Sequence, residues 1–231
     1  MKALKLTVVV LGVLLIGSPL MAATQLTVTG AAAMNGTNYG LVVSFDGSTS
    51  TAYVEDHSPA DETVYRAAFW IDRSGGIFMD NCGDTCVTSH TMFLARDDVD
   101  GVIGAGDVTV YRVLLRRLRL GNASGPRYSV RVGARQNNGT FTYVGGVVLA
   151  ETSKKKNIMI EWQAGNGDGM AKIYARNTSG DAWNLKGSNT TLTNDNLVVD
   201  YVRLGATSAV DATTTGDVWY DEFESYRTLA P

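Results

Sequence analysis

Two cysteines, two histidines and four prolines are all that the 231 residues hold of these types, and each scarcity removes an explanation. A structural zinc at Cys82 and Cys86 would need further ligands, and only His57 and His90 could supply imidazole. A Gly-x-Ser-x-Gly nucleophile elbow is absent. Neither sign of charge dominates, and a formal net charge of −3 gives no footprint for nucleic acid. No run after residue 23 is apolar enough to span a bilayer, repeats of solenoid length are missing, and no amphipathic helical period follows the N-terminal segment. What remains is a chain of 25 glycines with many Thr, Val and Asn residues, the composition of strands joined by tight turns.

The N-terminus differs from the rest. Lys2 and Lys5 precede an apolar run from Leu6 to Ile16, Gly17, Ser18 and Pro19 break it, and Ala22 and Ala23 follow. This is the pattern of a secretory signal peptide over residues 1–23, with an apolar run too short to span a membrane comfortably. Cleavage would remove two lysines and no acid, taking the net charge from −3 to −5. Residues 24–231 then form one periplasmic or extracellular domain, long enough for a substantial core. In that compartment the spacing of Cys82 and Cys86 in DNCGDTC favours a short disulfide loop over zinc.

Along this domain, short runs alternate with period two, which places successive side chains on opposite faces of a strand. VYRAAFWID puts Tyr65, Ala67, Phe69 and Ile71 on the core face and Arg66, Ala68 and Trp70 on the other, while Ile158, Ile160 and Trp162 are core candidates in NIMIEWQAG. NNG at 137–139 and NGDG at 166–169 are hairpin turns, and DAWNLKGSN reads as a loop bearing Trp183. Asp97, Asp98, Asp100 and Gly101 form an acidic turn with Arg96 where an EF-hand-type loop would begin with an acid, so it reads as solvated. In VWYDEFESY, Trp219, Asp221 and Phe223 share the face expected to be buried, and Tyr220, Glu222, Glu224 and Tyr226 share the other. Asp221 between two aromatics needs partners there, either backbone donors or a bound cation. About a dozen such strands predict an all-β, antiparallel two-sheet β-sandwich of jelly-roll type, preceded by the signal helix.

Four segments in order, AYVEDHSPADETVYRAAFWID, IMIEWQAGNGDGMAKIYAR, LVVDYVRLGA and GDVWYDEFESYR, resemble the concanavalin A-like lectin and glucanase superfamily, the jelly roll also used by laminin G-like modules. With the strands between them they cover nearly the whole domain. The resemblance implies glycan binding, a closing strand whose Asp221 and Phe223 lie against the opening strand QLTVT, and calcium as the ion for which Asp221 is the metal candidate. The chain departs from the catalytic members: it has no Glu-x-Asp-x-x-Glu strand, the nearest acids being Glu222 and Glu224, and it lacks the strand motifs of alginate lyases.

The resulting expectation is a non-catalytic, lectin-like module for an extracellular or cell-wall glycan. A carbohydrate-active enzyme with unfamiliar carboxylates, Glu222 first, and a structural or adhesive surface protein are the alternatives. Trp70 and Tyr220, by outward parity, and Trp183, in its loop, are the candidate aromatic contacts. Arg112, Arg116, Arg131 and Arg135 would line up as a cationic stripe if two strand registers match, with Arg131 and Arg135 as its candidate contacts for carboxylate or sulfate. Strand parity near Leu115 is ambiguous, and an exposed face kept soluble and protected from edge pairing by charge is the favoured reading. Asn35, Asn122, Asn138, Asn177 and Asn189 head Asn-x-Ser/Thr sequons, relevant only in a glycosylating host.

Overall fold

Period-two patterning yields thirteen strands. In chain order they are β1 (Gln25–Thr29), β2 (Gly40–Asp46), β3 (Ala52–Asp56), β4 (Val64–Asp72), β5 (Ser89–Asp97), β6 (Val108–Leu118), β7 (Arg127–Arg135), β8 (Phe141–Leu149), β9 (Lys155–Gln163), β10 (Asn166–Arg176), β11 (Asn184–Thr193), β12 (Tyr201–Ser208) and β13 (Thr215–Tyr226). The structure is a computed structural model that describes residues 23–80, 88–104, 106–118 and 127–230. The expected signal segment up to residue 22, the Cys82 and Cys86 pair and the Asn122 sequon lie outside the described residues. Among the described residues the only helical element is one 3-10 turn, Gly30–Ala32.

The strands form two antiparallel sheets, ordered β1-β2-β13-β4-β9-β10-β11 and β3-β12-β5-β6-β7-β8, which stack as the expected sandwich. Aromatic rings join them: Phe69 of β4 stacks on Phe93 of β5 with centroids 5.8 Å apart, Phe93 on Tyr111 of β6 at 5.8 Å, and Tyr111 on Trp162 of β9 at 6.4 Å. All four are wholly buried. Burying each such ring stabilises the fold by roughly 2 kcal/mol, and these rings serve both sheets at once. Ile158 and Ile160 are also in the core, and Phe223 packs against it.

Three expectations are corrected. In the first half of β13 the faces are reversed: Val218 and Tyr220 point into the core, while Trp219 and Asp221 face outward. Trp70 pairs with Asp221 but Ala68 with Glu224, so β13 carries one extra residue at a bulge where Glu222 takes a φ of 48°. The bulge shifts the alternation by one, returning Phe223 to the interior. Strict alternation read from Phe223 backwards therefore misplaces Trp219 and Tyr220. The closing strand also lies between β2 and β4, not beside β1, whose one strand partner among the described residues is β2. Finally, most of the supposed Trp183 loop belongs to β11, a polar edge strand paired with β10 in which only Leu192 is buried.

At one side of the sandwich the edges of the two sheets meet at glycines. A Cβ on Gly187 of β11 would lie 2.2 Å from the Cα of Gly145 in β8, and one on Gly145, where φ is 53°, only 2.7 Å from the Cα of Gly187. Neither position has room for a side chain.

Candidate functional site

The outer face of the six-stranded sheet carries four arginines that have no salt-bridge partner among the described residues. In β6, Tyr111, Val113 and Leu115 fill the core, so Arg112, Leu114 and Arg116 point outward; in β7, Tyr128, Val130, Val132 and Ala134 fill it, and Arg131, Gly133 and Arg135 point outward. The register sets Arg112 opposite Gly133 and Leu114 opposite Arg131, so the four arginines interleave on one face, the alignment that the sequence left conditional on register. Arg117 leaves the stripe, turning its guanidinium over Phe78 and donating to the Met79 carbonyl.

Tyr143 and Phe141 of β8 complete the surface. Tyr143 sits opposite Gly133, where a Cβ would come within 2.8 Å of its ring, so the missing side chain lets the ring lie across the sheet. The Arg131 guanidinium packs 4.7 Å from that ring, and Arg112 donates to the Tyr143 hydroxyl while packing 4.2 Å from the Phe141 ring. Arg135 approaches Phe141 at 5.9 Å. Such contacts hold guanidinium groups in place without cancelling their charge. Among the described residues no carboxylate forms a salt bridge with any of the four.

Ser89, Leu114, Arg116, Arg131 and Tyr143 line a shallow depression of about 250 Å³. Burial, then the charge of Arg131, holds the Arg116 guanidinium below its ordinary range, a measure of how two like charges share this hollow. The arrangement offers fork-shaped donors beside a hydroxyl and an aromatic face, which suits a carboxylated or sulfated sugar. Farther along the sheet Arg203 is occupied: it bonds Glu55 and packs over Tyr53 and Tyr201.

The other candidates are not brought to this surface. Tyr220 is completely buried, with burial pushing its hydroxyl well above the ordinary range, so it is a core residue and not a ligand contact. Trp70 is on the outer face of the seven-stranded sheet but only 1% exposed, its indole donating to Glu222 at 2.9 Å. Trp183 packs under the Arg176 guanidinium, 4.3 Å away, on that same side. Glu222 also accepts from the Asn35 amide, and Glu224 from the Tyr226 hydroxyl. Asp221 accepts the Met34 N–H at 2.5 Å, the Thr37 hydroxyl and the Glu222 N–H at 2.8 Å, tying the loop after β1 to the closing strand. Tyr143, Phe141 and Ser89 went unnamed in the sequence reading; the shared parity of Phe141 and Tyr143, facing a strand with a glycine among arginines, was the available signal.

A 12% identical likeness places the architecture. The structure of a GH43 glycoside hydrolase engineered to show both endo-xylanase and exo-arabinofuranosidase activity matches 89% of this chain with a TM-score of 0.51. The likeness is one of fold alone, an antiparallel two-sheet β-sandwich. This chain spans 36% of the length of that hydrolase. Looser likenesses reach the exoplasmic/lumenal domain of VIP36 bound to Ca2+ and Man3GlcNAc (TM-score 0.44, 11% identity, 91% of this chain and 88% of that one) and an alginate lyase from Pseudomonas aeruginosa (TM-score 0.39, 10% identity, 81% and 73%). No protein-family model and no curated protein sequence matches the chain. Among the described residues, no helix is long and apolar enough to cross a membrane.

Proposed function

We propose that this concanavalin A-like domain is exported by its N-terminal signal segment and binds an acidic extracellular or cell-wall polysaccharide, without catalysis, on the outer face of its six-stranded sheet. The observation that supports the reading is the set of four guanidiniums on this face without a salt-bridge partner among the described residues, two of which, Arg116 and Arg131, line the Tyr143 depression. Sustaining so much like charge on one face costs stability, which a polyanionic ligand would repay by bidentate hydrogen bonding. Aromatic edges beside the arginines supply the apolar contact that sugar rings need. In this reading Glu222 anchors the buried Trp70 indole, Glu224 is a solvated acid beside Tyr226, and Trp183 is not part of the binding face.

Affinity electrophoresis through gels containing carboxylated, sulfated or neutral polysaccharides tests the proposal. Retardation by the acidic gels that is lost in Arg131→Ala and Tyr143→Ala, but kept in Trp183→Ala, is the expected result. Equal mobility in all gels, or retardation unaffected by Arg131→Ala, would refute it. N-terminal sequencing of the secreted product, expected to begin at Thr24, tests the export component.

A further inference from the structure

We propose that the connection between β5 and β6 binds a calcium ion through Asp98, Asp100 and Asp107. One carboxylate oxygen from each of these residues lies within 4.8 Å of those of the other two. That spread fits around one ion with metal–oxygen bonds of about 2.4 Å. Clustered acids are common on surfaces, but this cluster is not merely on the surface. Asp107 is only 8% exposed; its Oδ2 accepts the Gly104 N–H at 2.9 Å and the Tyr201 hydroxyl, while its Oδ1, equally cut off from solvent, receives no protein donor. The Asp98 Oδ1 is likewise buried and without a donor.

A carboxylate oxygen removed from water and left bare costs several times an ordinary hydrogen bond, so two within one small loop call for a cation. Arg96 and Arg203 act on Asp107 only through their field and donate to neither bare oxygen: Arg96 donates to the Asp107 main-chain carbonyl at 2.6 Å and Arg203 to Glu55. Carboxylate oxygens alone favour a hard ion over zinc or copper, and an irregular loop favours calcium over magnesium, which demands a tight octahedron. The acidic turn that reads as solvated in the sequence thus gains its missing ligand from Asp107, beyond Gly106. The ion would fasten the β5–β6 connection to β12 through Tyr201. It is a different place from Asp221, whose carboxylate is engaged by Met34, Thr37 and Glu222.

Terbium, a luminescent stand-in for calcium, is excited through a nearby tyrosine, and Tyr201 is bonded directly to a proposed ligand. Full-length mature protein stripped with chelator should give sensitised terbium emission that calcium displaces and magnesium displaces poorly. Calcium should raise the melting temperature of the same sample. Asp98→Asn and the exposed-site variant Asp100→Asn should each weaken calcium binding at least about tenfold, since even outer partners of a metal site are worth that much. Asp221→Asn should leave it unchanged. Absence of calcium-displaceable emission in the folded wild type would overturn the proposal, as would calcium binding that survives Asp98→Asn and Asp100→Asn but is lost in Asp221→Asn.

Discussion

His90 makes the stability of this domain depend on pH in a window where few side chains titrate. Its ring is completely buried on β5 against Phe45, centroids 4.7 Å apart, and neither ring nitrogen has a hydrogen-bond partner. Burial alone depresses its pKa from 6.5 to about 4. The unfolded chain therefore takes up a proton that the folded one refuses between those values, and stability falls as pH is lowered through the window. Linkage over that interval gives a loss of about 2 kcal/mol between pH 7 and pH 5, growing to about 3 kcal/mol by pH 4. Urea unfolding followed by tryptophan fluorescence at pH 7, 6 and 5 measures this directly. The His90→Leu variant, of similar volume and unable to titrate, separates this residue from the carboxylates: its stability should change over the same range by about 2 kcal/mol less. Parallel pH profiles for wild type and variant would show that His90 is either accessible or paired, and would refute the argument.

Three further outcomes follow from the contacts described. Tyr220→Phe removes a buried hydroxyl that has no partner, so unfolding free energy should hold or rise by up to about 1 kcal/mol, whereas a ligand contact would show as weaker glycan binding. Asp221→Ala strips acceptors from Met34, Thr37 and Glu222, and should cost about 3 kcal/mol in denaturant unfolding, with early loss of amide protection around Met34. Polysaccharide binding through unpaired arginines should weaken steeply between 50 and about 300 mM salt, read by isothermal titration, and Arg116→Ala should flatten that dependence.

The sandwich was legible because most strands alternate strictly: Phe69, Ile158 and Trp162 turn inward as the pattern demands. What escaped depends on departures from that pattern. Glu222 adopts a conformation rarely taken by residues other than glycine, so no glycine announces the bulge, and Tyr220 was assigned to the wrong face. The strand Asn184–Thr193 is polar along nearly its whole length, because an edge strand buries little, and so looks like a loop. Tyr143 belongs to the arginine surface only because β7 and β8 pair in one register, a relation that neither strand carries alone. Asp107 is separated from Asp98 by a long connection, and only folding brings the acids together.

The contact of Gly145 with Gly187 bears on how the protein behaves in company. A sheet border with free amides and carbonyls invites a strand from a neighbouring molecule, the first step towards fibrils. Here two of the four sheet borders, β8 and β11, shield one another because neither carries a side chain where they touch. The missing methyl groups at this seam let the two sheets close on each other, leaving neither of these borders open to a strand from another molecule.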